Sequence, residues 1–254
     1  MKMIDYDAAS KTYDRTRKHS NSPIDRFSQR VLLTEQTTVL DFGCGTGNYL
    51  NRLQLDFGCQ CCGVEPSEGM RTVATNKNPA LDIQDGNHAN IPYGDRSFDF
   101  GFMTDVIHHV PDLNQMFAEL CRVLRFEAYL CIVTQSHDQI QDRFYNGYFP
   151  SLASNEKHRY PDIPVIVVVA QEIGLAHEGT EVLPPSSHAR ITEEFVRNVE
   201  EKNYSMFRLL DEAEYMSGLS RIKDDMGKSF DIPGAGETLV WLTRPAQRSD
   251  LSDG

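Results

Sequence analysis

Gly43, Gly45 and Gly47 recur at every second position in the run VLDFGCGTGNYL, directly behind the apolar residues Val39 and Leu40. Glycine tolerates the dihedrals of a sharp turn and leaves no Cβ between the backbone and a bound molecule. An acid, Glu65, closes a second strand-like run, CQCCGVE. A carboxylate spaced in this way from a glycine turn meets the ribose in nucleotide sites. Together they point to a small ligand containing adenosine. His108 and His109 follow a later apolar run, FDFGFMT. Histidine titrates near neutral pH, so either is a candidate base; the other reading is a histidine that orients its own loop. His158, Arg159, Tyr160, His188 and Arg190 are candidate contacts for a second substrate, and each read singly is an ordinary surface residue.

The elements that must position these residues alternate between helix and strand, as in a doubly wound α/β sheet covered on both faces. Helices are expected at 5–13 and 24–33, then a strand at 38–42 that feeds the glycine turn, and a helix opening at Asn48. A strand at 60–65 is followed by Ser67, a suitable cap for a helix carrying Met70 and Val73. Further strands are expected at 80–84, 98–104 and 128–134. Between the last two, Leu113, Met116, Phe117, Leu120 and Leu124 mark one helical face. The alternation then breaks down. Residues 136–162 are polar and aromatic with Pro150 and Pro161, which suits an inserted cap. The valine-rich stretch 163–175 is read as a helix, because Pro164 fits a first turn and Gly174 a C-cap. A strand at 179–183, one or two helices over 192–216 and a last strand at 237–243 complete the chain.

With 254 residues, 40% of them hydrophobic and 24% charged, the chain can bury a full core, and one domain is expected. It is divided into N-terminal helices over 1–34, a cofactor-binding core over 35–135, and cap segments over 136–162 and 186–226. A net charge of −12 argues against a nucleic-acid substrate, whose phosphates demand a basic face. There is no apolar run of about 18 residues, and MKMIDYDAAS lacks a signal-peptide core, so a cytoplasmic protein without a membrane partner is expected. The six cysteines lie mostly in apolar runs and are read as core rather than metal ligands, with Cys44 the candidate for alkylation.

Dinucleotide sites usually carry GxGxxG, where a helix N-terminus meets the pyrophosphate. Here the spacing is GxGxG, which suits a ligand without one, such as S-adenosylmethionine. The chain resembles the class I S-adenosylmethionine-dependent methyltransferases, particularly small-molecule enzymes related to the ubiquinone/menaquinone-biosynthesis type. The resemblance is carried by VLDFGCGTGNYL, GVEPSEGM, GNHANIPYGDRSFDF and DVIHHVPDLNQMFAELCRVLR, which lie between Val39 and Arg125. It implies a Rossmann-like, seven-stranded, mostly parallel sheet with a helical cap.

It further implies that Asp41 and Gly43 hold the amino end of the methionine moiety, with Gly45 and Gly47 under the adenosine. Glu65 would accept both ribose hydroxyls, with Pro66 and Met70 flanking adenine. Asn87, followed by His88, stands where the family usually has an aspartate facing the adenine amino group. Thr104 and Asp105 would lie near the sulfonium, though Asp105 also reads as a turn cap. RFEA at 125–128 replaces the family's usual Pro-Gly-Gly turn and is expected to be a loop. YDAASKTYDRTR resembles the family's lid: Tyr13 over the sulfonium, and Arg15 or Arg17 on the carboxylate; an exposed amphipathic helix is the alternative. The expected activity is methyl transfer to a small-molecule O, N, S or C nucleophile by a monomer or homodimer. A catalytically silent cofactor-binding regulatory domain and a nicotinamide-dependent oxidoreductase are the other readings.

Overall fold

Alternating burial along the strands builds two cores on opposite faces of one sheet. Leu130 and Ile132 join one core, while Cys131 and Val133 join the other, as the two-residue period of a strand requires. The structure, a computed structural model, describes residues 22–184, 189–230 and 236–247. Its main sheet comprises β1 (Thr38–Phe42), β2 (Gln60–Val64), β3 (Asp82–Gln84), β4 (Phe98–Thr104), β5 (Leu124–Thr134), β6 (Ala176–Leu183) and β7 (Glu237–Thr243). The spatial order is β3-β2-β1-β4-β5-β7-β6. The pairings among β1 to β5 are parallel, and β7 runs antiparallel to both β5 and β6. The expected seven-stranded, mostly parallel sheet is thus observed.

Helices α1 (Ser22–Arg30) and α2 (Asn48–Phe57) cover one face through Ile24, Phe27, Leu50 and Leu53. After α3 (Glu68–Lys77), helix α4 (Leu113–Val123) covers the other through Met116, Phe117, Leu120 and Val123. Helix starts follow local chemistry. Ser67 accepts the Met70 N–H ahead of α3, and Asp112 accepts the Gln115 N–H ahead of α4. RFEA is not the expected loop: β5 begins at Leu124, directly after α4, with Glu127 at φ 64° donating its N–H to the Arg244 carbonyl at 2.6 Å.

Beyond β5 come α5 (His137–Gln141), α6 (Leu152–Arg159), α7 (Ile163–Glu172), α8 (Glu193–Glu200) and α9 (Glu212–Asp224). The valine-rich stretch is indeed helical. Asp162 caps α7, Pro164 occupies its first turn, and Gly174 takes φ 102°. Residues from both cap segments close a third core, with Phe149 and Leu152 packed among Val199, Phe207 and Ile222. The cap leaves the sheet at the end of β5, leaves it again after β6, and returns at the start of the antiparallel β7. All three junctions lie at the carboxyl edge of the parallel strands, where ligands bind in open α/β sheets. The expected helix at 5–13 lies outside the described residues.

Gly218 shows how closely the cap packs. A Cβ there would press into the Phe149 ring and lie 2.8 Å from the Tyr148 carbonyl. Gly218→Ala is expected to cost about 1–3 kcal/mol of stability through overpacking, despite alanine's better helix propensity. A urea midpoint equal to wild type would contradict that packing.

Candidate functional site

The three turn glycines all take left-handed backbone, with φ 77°, 54° and 71° at Gly43, Gly45 and Gly47. A Cβ on Gly43 would lie 2.6 Å from both Cγ atoms of Val106, and one on Gly47 would lie 3.1 Å from Leu81. At those two positions the missing side chain also makes room for the protein's own packing. The turn is pinned to β2 by Gly43 and Cys44, whose N–H groups both donate to the Val64 carbonyl, at 2.8 and 3.1 Å.

Glu65 is buried, and its carboxylate braces the turn. Oε2 accepts the Gly45 N–H at 3.0 Å and Oε1 accepts the Ser67 N–H at 2.9 Å. Arg71 donates to the Glu65 carbonyl at 2.7 Å. Asp41, at the end of β1, is 1% exposed, and its Oδ1 has no hydrogen-bond partner among the described residues. Burial, with the Glu65 carboxylate second, holds its carboxyl well above the usual range. An orphaned buried oxygen beside an open-backbone turn is what a ligand carrying an amino group would satisfy. The residues present therefore fit the expected cofactor.

The remaining cofactor positions divide. Pro66 is exposed, whereas Met70 is 1% exposed and stands within the wall. Asn87 is exposed and turns its side-chain oxygen back to the Ala89 N–H at 2.9 Å, so the bond expected to adenine competes with a local turn. His88 beside it is half-buried. Burial pushes the Cys44 thiol well up, which makes it a poor nucleophile and corrects its reading as an alkylation target. Tyr13, Arg15, Arg17 and His188 lie outside the described residues.

Beside the turn, at the ends of β4, β5 and β7, lies a cavity of about 630 Å³. Asp105, at φ 55°, and His108 reach it from the loop after β4; Thr104 closes the strand just before them. That loop also carries Val106, whose side chain packs on Gly43, so one segment touches both the turn and the cavity. The two histidine rings lie 4.0 Å apart but differ in exposure. His108 is buried with its ring stacked on Tyr160 at 4.1 Å, whereas His109 is exposed and does not line the cavity. Tyr160 and Arg190 line it too. His158 is exposed and engages its own helix through Ser154, and Arg159 lies behind the wall, paired with Glu156.

Sequence reasoning missed Arg143 and Glu156. Arg143 and Arg159 share the Glu156 carboxylate at 3.1 and 2.6 Å, and all three are buried. Arg143 also donates to Gln135 and lies over the Tyr160 ring at 5.4 Å. No motif spacing links these residues; the aromatic run FYNGYF at 144–149 was their one local signal. Glu237, also missed, lines the same cavity from the start of β7.

Residues 40–132 match the family model of the methyltransferase domain. Over that stretch the chain is similar to the methyltransferase domain family. An uncharacterized methyltransferase of Oceanobacillus iheyensis is 38% identical over 88 residues, 35% of this chain and 41% of that protein. The chain thus spans less than half the length of that relative. The methyltransferase GfsG of Streptomyces halstedii is 24% identical over 87% of this chain and 79% of its own length. Among solved structures, a proposed methyltransferase from an antibiotic biosynthesis pathway of Anabaena variabilis shares the fold, with a TM-score of 0.71. It is 21% identical, covering 90% of this chain and 99% of that one. No helix among the described residues is long and apolar enough to cross a membrane, and no metal-ligating cluster is found among them.

Glu156→Gln leaves two buried guanidinium groups without their shared carboxylate. The expected loss is about 3–5 kcal/mol, the range for breaking a buried pair. Guanidinium unfolding measures it, and a loss below about 1 kcal/mol would show the pair to be solvated.

Proposed function

We propose that this protein transfers a methyl group from S-adenosylmethionine to a small-molecule acceptor held in the cavity beside Asp105. The observation that carries the reading is the juxtaposition of a Glu65-braced glycine turn with that cavity across the Asp105–Val106 loop. Bound at the turn, the cofactor would supply a methyl carbon already activated by the positive charge on its sulfur. Asp41 and the Gly43 backbone would take its amino end, Gly45 and Gly47 would underlie adenosine, and Glu65 would accept the ribose hydroxyls. Pro66, Met70, Asn87 and His88 would surround the base, and Tyr13 and Arg17 remain part of the proposal as lid residues.

The residues then have two tasks: aligning the nucleophile and excluding water. The cap would serve both, lining the cavity with Tyr145, Tyr160 and Met206. His108, stacked on Tyr160, would orient the acceptor from the sheet side. The net charge of −12 supports a small acceptor over nucleic acid. The relatives described above are methyltransferases, which leaves the oxidoreductase and regulatory readings without support.

S-adenosylhomocysteine should raise the thermal midpoint and NADH should not. Glu65→Ala should weaken S-adenosylhomocysteine binding about 10–100-fold, the worth of hydrogen bonds to a charged group. Stabilisation by NADH alone would overturn the assignment.

A further inference from the structure

We propose that Glu237 takes the proton from the methyl acceptor, and that the acceptor is an amine presented as its ammonium. The inference rests on the methyl-transfer reading above and names the substrate class and the residue that prepares it.

The strand register places the group. Asp105 follows β4 and donates its N–H to the Val133 carbonyl of β5 at 3.1 Å. On the other side of β5, Thr134 pairs with Thr238 of β7, so Glu237 stands level with Gln135 at the same edge. Asp105, Gln135 and Glu237 therefore form a row across three adjacent strand ends, and all three line the cavity. Gln135 is engaged on both sides, donating to the Gly236 carbonyl at 3.0 Å and accepting from Arg143. The Glu237 carboxylate makes no hydrogen bond or ion pair with any described residue, although it is half-buried. Burial, with the Asp105 charge second, pushes its pKa up to about 7. A base with that affinity is matched to proton transfer at neutral pH.

The other groups facing this carboxylate fix the orientation. Arg143 lies opposite from the cap, with its charge shared by Glu156; Arg190 precedes α8 and Glu194 stands in its first turn. Tyr145, half-buried and pushed up to about 12 by desolvation, and Tyr160, pushed higher still by burial, stay neutral. His108 is the other titratable group on the sheet side. Asp105 and Glu237 thus bring two carboxylates to the sheet edge, while on the cap wall Arg143 and Arg190 stand beside Glu156 and Glu194, so an ammonium is drawn to the edge. There its proton passes to the Glu237 oxygen. The freed nitrogen lone pair forms the N–C bond while the methyl carbon's bond to sulfur breaks and its electron pair leaves with the sulfur. The product is the N-methylated amine, formed as an ammonium, and the proton on Glu237 returns to water.

Two measurements test this. The first needs no acceptor. Folded wild type holds the Glu237 proton up to about pH 7, whereas the unfolded chain releases it near the ordinary glutamate value of 4.5. The stability this proton contributes is therefore lost as pH rises through that window. E237Q lacks this loss, so its thermal midpoint should gain on wild type between pH 4.5 and 7; a constant difference would overturn the proposal. The second uses labelled S-adenosylmethionine with a panel of primary and secondary amines, phenols and thiols. Amines should be methylated, with a kcat/KM limb near pH 7. E237Q should lose about 100-fold in kcat and lose that limb, with S-adenosylhomocysteine affinity unchanged. D105N should move the limb to lower pH. A limb that survives in E237Q and vanishes in His108→Asn, or turnover of phenols or thiols alone, overturns the inference and leaves methyl transfer standing. No transfer to any acceptor, with S-adenosylhomocysteine bound, overturns both.

Discussion

The contact between Gly43 and Val106 joins the two halves of the site. β1 and β4 are adjacent parallel strands whose chains leave the sheet in opposite directions, so a crevice opens at their carboxyl ends. A left-handed glycine closes the first strand, and the space its Cβ would fill is taken by the Val106 side chain. Any other residue at 43 would push away the loop carrying Asp105 and His108. The geometry of the cofactor turn and that of the cavity are therefore set by one packing contact.

Around that joint the buried charges follow a common logic. Glu65 is tolerated inside because two backbone N–H groups donate to its carboxylate, and Glu156 because two guanidinium groups do. Asp41 Oδ1 and Glu237 lack such partners among the described residues, and both carboxyls have raised proton affinity. Polar groups left unsatisfied in this way mark where an incoming molecule is expected to complete the structure.

The sheet was legible because its signals are local. The glycine turn, Ser67 and Asp112 as caps, and the one-faced pattern of α4 each depend on a few neighbouring residues. The valine-rich α7 was decided by Pro164 and Gly174 against its own β propensity, since a first-turn proline and a terminal glycine fix the ends of a helix. RFEA was misread because a single left-handed residue, Glu127, lets strand pairing begin straight after a helix. The cavity was barely legible. Arg143, Glu156 and Glu237 come from distant segments, and nothing in spacing announces that tertiary packing will bring them together. Of the histidine pair, whose rings lie 4.0 Å apart, His108 is buried and lines the cavity while His109 is exposed.

A crystal structure of the protein with S-adenosylhomocysteine tests most directly whether the two halves form one site. The account predicts the ribose against Glu65, the amino group at Asp41, and the sulfur opening past Asp105 into the cavity. A ligand bound away from the glycine turn, or a sulfur walled off from the cavity, would contradict it.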